Sequence, residues 1–128
     1  MVTQRLFTGD ERSSPQIFVT TTGTAAVTDL VLVAAATDAF YRIFQVDAQT
    51  SSTTGTVAVQ FATNDTTPVF KLNGSAGSTA ASLYKTKQDG AVNQAITVTT
   101  TGTASFFVHV GYSPLQSPAE GSVGGAQP

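Results

Sequence analysis

The most regular pattern along this chain is the alternation of apolar and polar positions over short segments. In TVAVQFA, at positions 56–62, Val57, Val59 and Phe61 alternate with smaller or polar residues, and Ile96 and Val98 alternate with threonines in ITVT. Because successive side chains of a β-strand point to opposite faces, a period of two predicts strands with one buried face.

Similar segments, rich in Val, Ile, Phe and Thr, recur along the chain and are separated by Gly, Asn and Asp. This spacing is typical of an all-β sandwich or barrel, and no segment sustains a helical period. We predict one domain, a single β-sandwich of about eight antiparallel strands at 16–20, 25–34, 39–49, 56–62, 68–72, 80–86, 92–99 and 103–112. The predicted sandwich occupies residues 15–113, between a charged N-terminal arm at 1–14 and a C-terminal arm rich in Pro, Gly and Ser at 114–128.

One short sequence occurs repeatedly. VTTTGTA is found at 19–25 and at 98–104, and the near copy SSTTGTV lies at 51–57. The spacing is unequal, which argues against tandem repeats. We therefore interpret the copies as turns in which Gly23, Gly55 and Gly102 supply a positive φ, with a shared ligand site as the alternative.

Two predicted strands, DLVLVAA and FYRIFQV, are apolar on both faces. In a two-layer sandwich only one face of a strand meets the core, so the second face must meet a loop, a tail or another subunit. We expect a contact with a second subunit around Leu30, Leu32, Tyr41 and Ile43.

Three further residues stand out as candidates for binding. Arg42 interrupts the apolar run FYRIFQV and is expected to form a structural or inter-subunit ion pair with Asp29 or Asp47, with ligand recognition as the alternative. Phe107 and His109 lie on the face of the last strand opposite its regular apolar side. Because His109 is the only histidine and the chain has no cysteine, we expect a packed or interfacial imidazole and no metal site.

The composition excludes several functions. Charged residues make up 11% of the chain, against about 25% in ordinary domains, and the formal net charge is -2. Clustered cations for nucleic acid are missing, and so few surface charges favour self-association. No signal peptide, membrane span or catalytic constellation is recognisable. We expect a non-enzymatic protein without cofactors, made in the cytoplasm.

The order of segments from Ile17 to Ser113 resembles that of small tailed-bacteriophage virion proteins, especially capsid decoration or cement proteins. The similarity includes FYRIFQVDA, TGTVAVQFAT, the loop NGSAGS and the closing pair AITVTTTGTASFFVHVGYS. The resemblance implies a jelly-roll-like sandwich, commonly trimeric, that binds the major capsid protein on the outside of an assembled capsid and bridges capsomers. The two arms would then lie over the shell or over sister subunits.

On this interpretation the partner-binding residues are Arg5, Phe7, Arg12, Leu30, Leu32, Tyr41, Arg42, Ile43, Phe107 and His109. The alternative function is a receptor-binding or carbohydrate-binding module of a phage fibre or tail. Such a module needs exposed aromatic platforms, for which Tyr41, Tyr84 and Tyr112 are the tyrosines present, and the chain has no tryptophan.

Overall fold

A computed structural model of the chain describes residues 15–61, 68–102 and 104–116. This part of the chain forms eight strands and no helix. The strands are β1 (Ile17–Gly23), β2 (Leu30–Val33), β3 (Ala39–Thr50), β4 (Thr56–Phe61), β5 (Phe70–Asn73), β6 (Ala80–Asp89), β7 (Ile96–Thr100) and β8 (Phe106–Gln116).

The strands form two four-stranded antiparallel sheets, in the orders β1-β8-β3-β6 and β2-β7-β4-β5. The first strand pairs with the last, the second with the seventh, the third with the sixth and the fourth with the fifth. This nesting of pairs is the topology of a jelly roll. The predicted all-β sandwich of eight strands is confirmed, and the jelly-roll order implied by the resemblance is present.

The apolar faces of the two sheets meet in one core. Val57, Val59, Ile96 and Val98 from the second sheet are fully buried, as are Val46, Val108 and Val110 from the first. Burial of an aliphatic side chain of this size contributes about 1.5–3 kcal/mol. The alternation recognised in the sequence of β4, β7 and β8 therefore identifies the core face of these strands.

Strand β3 has apolar side chains on both faces, as predicted, because Phe44 lies on the face opposite Ile43, but Val46 lies on the core face. Its register against β8 shifts between Ile43 and Gln45, so β3 contains one more residue than its partner at this point. Such a β-bulge reverses the phase of the alternation. Ile43 before the bulge and Val46 and Ala48 after it all face the core.

The expected subunit contact around Tyr41 and Ile43 is consequently wrong. Tyr41 is 6% exposed and Ile43 is 0% exposed, and both belong to the core cluster. Leu32 also packs against this cluster, and Leu30 is half-buried opposite Val98. These side chains are covered by the protein itself, so they stabilise the fold.

The predicted strand ends differ most from the observed ones at positions where the chain enters a turn. Strand β2 begins at Leu30, later than expected, because Asp29 adopts a left-handed backbone with φ 52°. Asp38, with φ 65°, precedes β3 in the same way. Asp tolerates this conformation better than most residues do. Strand β8 continues to Gln116, three residues beyond the predicted end of the sandwich.

The three TTGT copies meet at one end of the sandwich. Gly23 is the last residue of β1 and lies opposite Phe106, which also pairs with Thr50 just before the second copy. Thr56 and Thr101, from the second and third copies, bond through both backbone and side chain. The repeated sequence therefore forms neighbouring turns.

The predicted positive φ is present at Gly102, where φ is 87°, and absent at Gly23 and Gly55. At Gly23 and Gly55 glycine is needed because neighbouring atoms leave no room for a Cβ atom. A Cβ on Gly55 would collide with the carbonyl oxygen of Thr101, and a Cβ on Gly23 would lie 2.6 Å from the ring of Phe106.

Candidate interaction surface

The outer face of the β1-β8-β3-β6 sheet has a row of stacked rings across its first three strands. The rings are those of Phe107, His109, Phe18 and Phe44, called the aromatic row below. Phe107 and His109 are stacked with centroids 6.3 Å apart, His109 and Phe18 with centroids 5.0 Å apart, and Phe44 meets Phe18 edge to face at 5.5 Å. Phe18 is 48% exposed, so the row offers apolar surface to a partner.

A glycine in β8 gives the row its space. Gly111 lies directly opposite Phe18 in the strand pairing. A Cβ at this position would lie 2.7 Å from Phe44 Cε1 and 2.8 Å from Phe18 Cε1. The two phenylalanine rings therefore lie over the backbone of Gly111, and any larger residue would displace them.

The imidazole of His109 is held in position from several sides. Thr20 is its neighbour on β1, and a hydrogen bond of 2.7 Å joins Thr20 Oγ1 to His109 Nδ1. Phe18 and Phe107 stack on the ring, and Asp47 lies opposite His109 on β3. His109 thus has the role of an oriented ring within an aromatic surface.

Beyond the aromatic row, the face toward the edge strand β6 is mixed in character. Leu83 of β6 lies opposite Asp47, on the same side of the sheet as His109, and is 57% exposed. The centre of a protein interface is usually rich in aromatic side chains and poor in charges, as the aromatic row is, whereas Asp47 and Lys85 lie beside the row toward β6. A patch of this kind on a small domain marks a site of association.

Arg42 and Asp89 are directly opposite on β3 and β6 and form a bidentate ion pair. Arg42 Nε donates to Asp89 Oδ1 at 2.6 Å and Arg42 NH2 donates to Asp89 Oδ2 at 3.0 Å. These hydrogen bonds raise the pKa of Arg42 above its usual value, against the opposing effect of burial. The predicted partners Asp29 and Asp47 are wrong, because strand order placed Asp89 beside Arg42.

The predicted binding residues thus lie in different parts of the structure. Phe107 and His109 belong to the aromatic row, and Arg42 ties β3 to β6 within the molecule. Leu32, Tyr41 and Ile43 pack in or against the core. The remaining candidates on the N-terminal arm, Arg5, Phe7 and Arg12, lie outside the described residues, as does most of the C-terminal arm.

Three members of the surface were not recognised in the sequence as binding residues. Phe18 was placed in a predicted strand without a role, Phe44 was one of the apolar residues of the two-faced segment FYRIFQV, and Gly111 received no role. The signal for Phe44 was its position on the second apolar face of FYRIFQV, which alternation places opposite Ile43. The signal for Gly111 was available, because a glycine inside an otherwise regular strand often marks a close approach.

The turn end of the sandwich carries a shallow polar cavity of about 350 Å³, lined by Ser51–Thr54, Gly102 and Ala104. Its best-placed group, the hydroxyl of Ser52, already accepts a hydrogen bond of 2.7 Å from the backbone N–H of Gly55. The lining therefore holds the turns together.

No helix in the described part of the chain is long and apolar enough to span a membrane. Residues 15–61, 68–102 and 104–116 contain no group of three or more His, Asp or Glu side chains arranged to hold a metal ion.

The fold and its surface define a jelly-roll β-sandwich with an exposed aromatic row. No model of a known protein family matches the sequence, and no curated protein matches it at a significant level. Among solved structures the chain is similar to one from work on Bacillus endospore appendages that form disulfide-linked pili. The two share 17% identity, over 89% of this chain and 97% of that one, with a TM-score of 0.41.

A second similar structure is the virus-like particle of the extra small virus of the giant freshwater prawn Macrobrachium rosenbergii. Here the identity is 12%, over 86% of this chain and 85% of that chain, with a TM-score of 0.36. Both TM-scores are low, and the function proposed below therefore rests on the residues of this chain.

Proposed function

We propose that this chain is a non-enzymatic structural protein that binds the outside of an assembled phage capsid and stabilises it. On this proposal it decorates the shell as a homo-oligomer of three copies, and its partners are its own copies and the major capsid protein. The observation that carries the proposal is the aromatic row on the outer face of the β1-β8-β3-β6 sheet. We propose that this row is the face that contacts the shell.

The geometry of the row supports a docking role. Stacking of Phe18 on His109 and the hydrogen bond between Thr20 and His109 order the rings before a partner binds. Ordered side chains lose little conformational entropy on binding, so more of the contact energy is available for affinity. A repeated shell presents many equal sites, and contacts of moderate strength then add up across an oligomer.

The low charge of the chain favours the same role. Few lysines and glutamates are available to keep copies apart or to impose strong long-range electrostatic steering. A protein of this composition is well suited to association through apolar surface.

The proposal is tested by co-sedimentation with purified shells assembled from the major capsid protein. Phe18→Ser and Phe107→Ser remove rings from the exposed face, and each is expected to lower shell occupancy at least severalfold. The matched control is Val31→Ser, because Val31 is 53% exposed on the other sheet. Circular dichroism and the unfolding midpoint show whether each variant is folded.

If folded Phe18→Ser and Phe107→Ser variants still occupy the shells fully, the aromatic row is not the surface that contacts the shell. Loss of occupancy with Val31→Ser alone would assign docking to the opposite sheet. Wild-type protein that neither co-sediments with shells nor raises their melting temperature would overturn the capsid role itself.

The alternative of a glycan-binding or receptor-binding module has less support from the tyrosines. Tyr41 is in the core, and Tyr112 meets it edge to face at 5.3 Å. Tyr84 is 37% exposed and stacks on Phe70. Binding to a glycan array that Tyr84→Ala abolishes, together with no binding to shells, would favour the alternative.

A further inference from the structure

Each sheet of the sandwich ends in two strands that have a neighbour on one side only. Within the described residues these edges are β1 and β6 in one sheet and β2 and β5 in the other. An edge strand presents backbone donors and acceptors to any other strand of suitable shape, and soluble proteins usually protect their edges against such pairing.

Three of the four edges carry a recognised protection. Strand β6 displays the exposed lysines Lys85 and Lys87. Strand β5 is four residues long and carries exposed Lys71. Strand β2 is also four residues long, and its pairing is irregular between Val31 and Val33. Short length, lysine and bulges all discourage edge-to-edge pairing.

Strand β1 has none of these protections. Its seven residues, IFVTTTG, include no charge and no proline, and its pairing with β8 runs from Ile17 to Gly23 without a register shift. Ile, Phe, Val and Thr have high β-propensity. Ile17 and Phe18 are 37% and 48% exposed. The edge of β1 is therefore regular and uncharged, and no other strand of the described residues pairs with it.

We propose that the edge of β1 pairs with β1 of a second copy of this chain, antiparallel and about a two-fold axis near Thr20. The four-stranded sheet would then continue as an eight-stranded sheet across two copies. A second β1 is a suitable partner because neither of the two β1 strands carries a charged residue. Strand β6 as a partner would place its lysines at the contact.

The register about Thr20 also preserves the faces of the sheet. Thr20 would lie opposite Thr20 of the partner subunit, and Phe18 opposite Thr22 of the partner subunit. Phe18, Thr20 and Thr22 share the outer face, since their partners on β8 are Gly111, His109 and Phe107. The aromatic rows of two copies would therefore join into one surface.

This pairing deepens the self-association in the proposed function, and it does not depend on a shell. A two-fold contact between β1 strands joins two monomers into a dimer. If the chain also forms trimers, the same contact joins two trimers into a hexamer. Doubling of mass is therefore its signature, from one copy to two or from three to six.

The test measures mass by analytical ultracentrifugation over a range of concentrations, with full-length protein and without shells. Hydrogen exchange of peptides covering 17–23 is recorded at the same concentrations. Wild type is expected to double its mass, and the β1 amides are expected to become protected as it does so. Thr22→Lys places a charge on the edge and is expected to raise the concentration needed for doubling by about tenfold.

The matched control is Ala81→Lys, because Ala81 is an exposed residue on the opposite edge of the same sheet. It is expected to leave the doubling unchanged. If Ala81→Lys abolishes the doubling of mass and Thr22→Lys does not, the contact lies at β6 and the proposal is overturned.

Other results would identify a different occupant of the edge. Amides of β1 that are protected in a monomer at every concentration would show that the chain covers its own edge. Protection that appears only on addition of shells would assign the edge to the capsid protein. Either result overturns pairing between copies, while shell docking through the aromatic row is judged separately by Phe107→Ser, because Phe107 lies on β8 and not on the pairing edge.

Discussion

Phe18 and His109 stack across β1 and β8 with their ring planes 10° apart and their centroids 5.0 Å apart. They are two residues out of direct opposition, because Phe18 pairs with Gly111 and His109 pairs with Thr20. The diagonal contact is available because Gly111 leaves room for the ring of Phe18 over the backbone. A surface that looks like a simple aromatic patch therefore depends on one glycine.

Gly111→Ala is expected to destabilise the protein by about 1–3 kcal/mol, because the added methyl group would overlap the rings of Phe18 and Phe44. The measurement is the urea unfolding midpoint. The same substitution in a Phe44→Ala background is expected to cost less, since one of the two clashing rings is gone. An equal cost in both backgrounds would show that the ring contact is not the cause.

Gly55→Ala is expected to cost about 3 kcal/mol, because its Cβ would collide with the carbonyl oxygen of Thr101 and lie 2.6 Å from Ser52 Oγ. Gly77→Ala is the informative control. Gly77 has φ 84° with open space around it, so alanine there costs only the left-handed backbone strain of about 1–2 kcal/mol. Equal costs in chemical denaturation would contradict the close approach at the TTGT turns.

The Arg42–Asp89 pair is expected to show a coupling free energy of about 0.5–1 kcal/mol in a double-mutant cycle with alanine. Both side chains are partly exposed, at 22% and 41%, so solvent weakens the attraction. The coupling is expected to decrease in 1 M salt. A coupling free energy near zero at low salt would mean that the bidentate ion pair does not stabilise the pairing of β3 with β6.

Tyr41 is expected to make stability fall at alkaline pH. Burial is the main cause that raises its pKa, proximity to Tyr112 adds to it, and its hydroxyl donates to the carbonyl oxygen of Ala34 at 2.6 Å. A raised pKa means that the folded state favours the neutral phenol. This stabilisation is complete below the unfolded pKa of about 10 and is lost as pH rises through the folded pKa.

Tyr41→Phe is therefore expected to lower the free energy of unfolding by about 1 kcal/mol at pH 7 and to flatten its decline above about pH 10. Unfolding midpoints at neutral and alkaline pH provide the measurement. The exposed Tyr84→Phe serves as control. If both variants decline with pH as steeply as wild type, Tyr41 is not the titrating group.

Deletion of residues 1–14 is expected to weaken docking to shells while the sandwich keeps its unfolding midpoint. The prediction follows from the proposed role of the charged arm, which contains Arg5 and Arg12, in contacting the shell. Shell occupancy of the truncated protein, compared with wild type, is the measurement. Full occupancy would exclude the arm from the contact.

The sequence by itself determined the strands and most of their buried faces. Val57, Val59, Ile96 and Val98 were assigned to the core from alternation alone, because the two-residue period of a strand is a local property of the backbone. Turn positions marked by Asp and Gly were similarly accessible. These features depend on residues that are close together in the chain.

The tertiary structure alone decided which strands became neighbours and where β3 changed phase. The bulge after Ile43 brought Val46 and Ala48 onto the same face as Tyr41 and Ile43, and packing made this face the core and not the predicted interface. Nesting of β3 against β6 gave Arg42 its partner Asp89, 47 residues away. The reason is physical: register and strand order follow from packing the whole core, and no local segment contains that information.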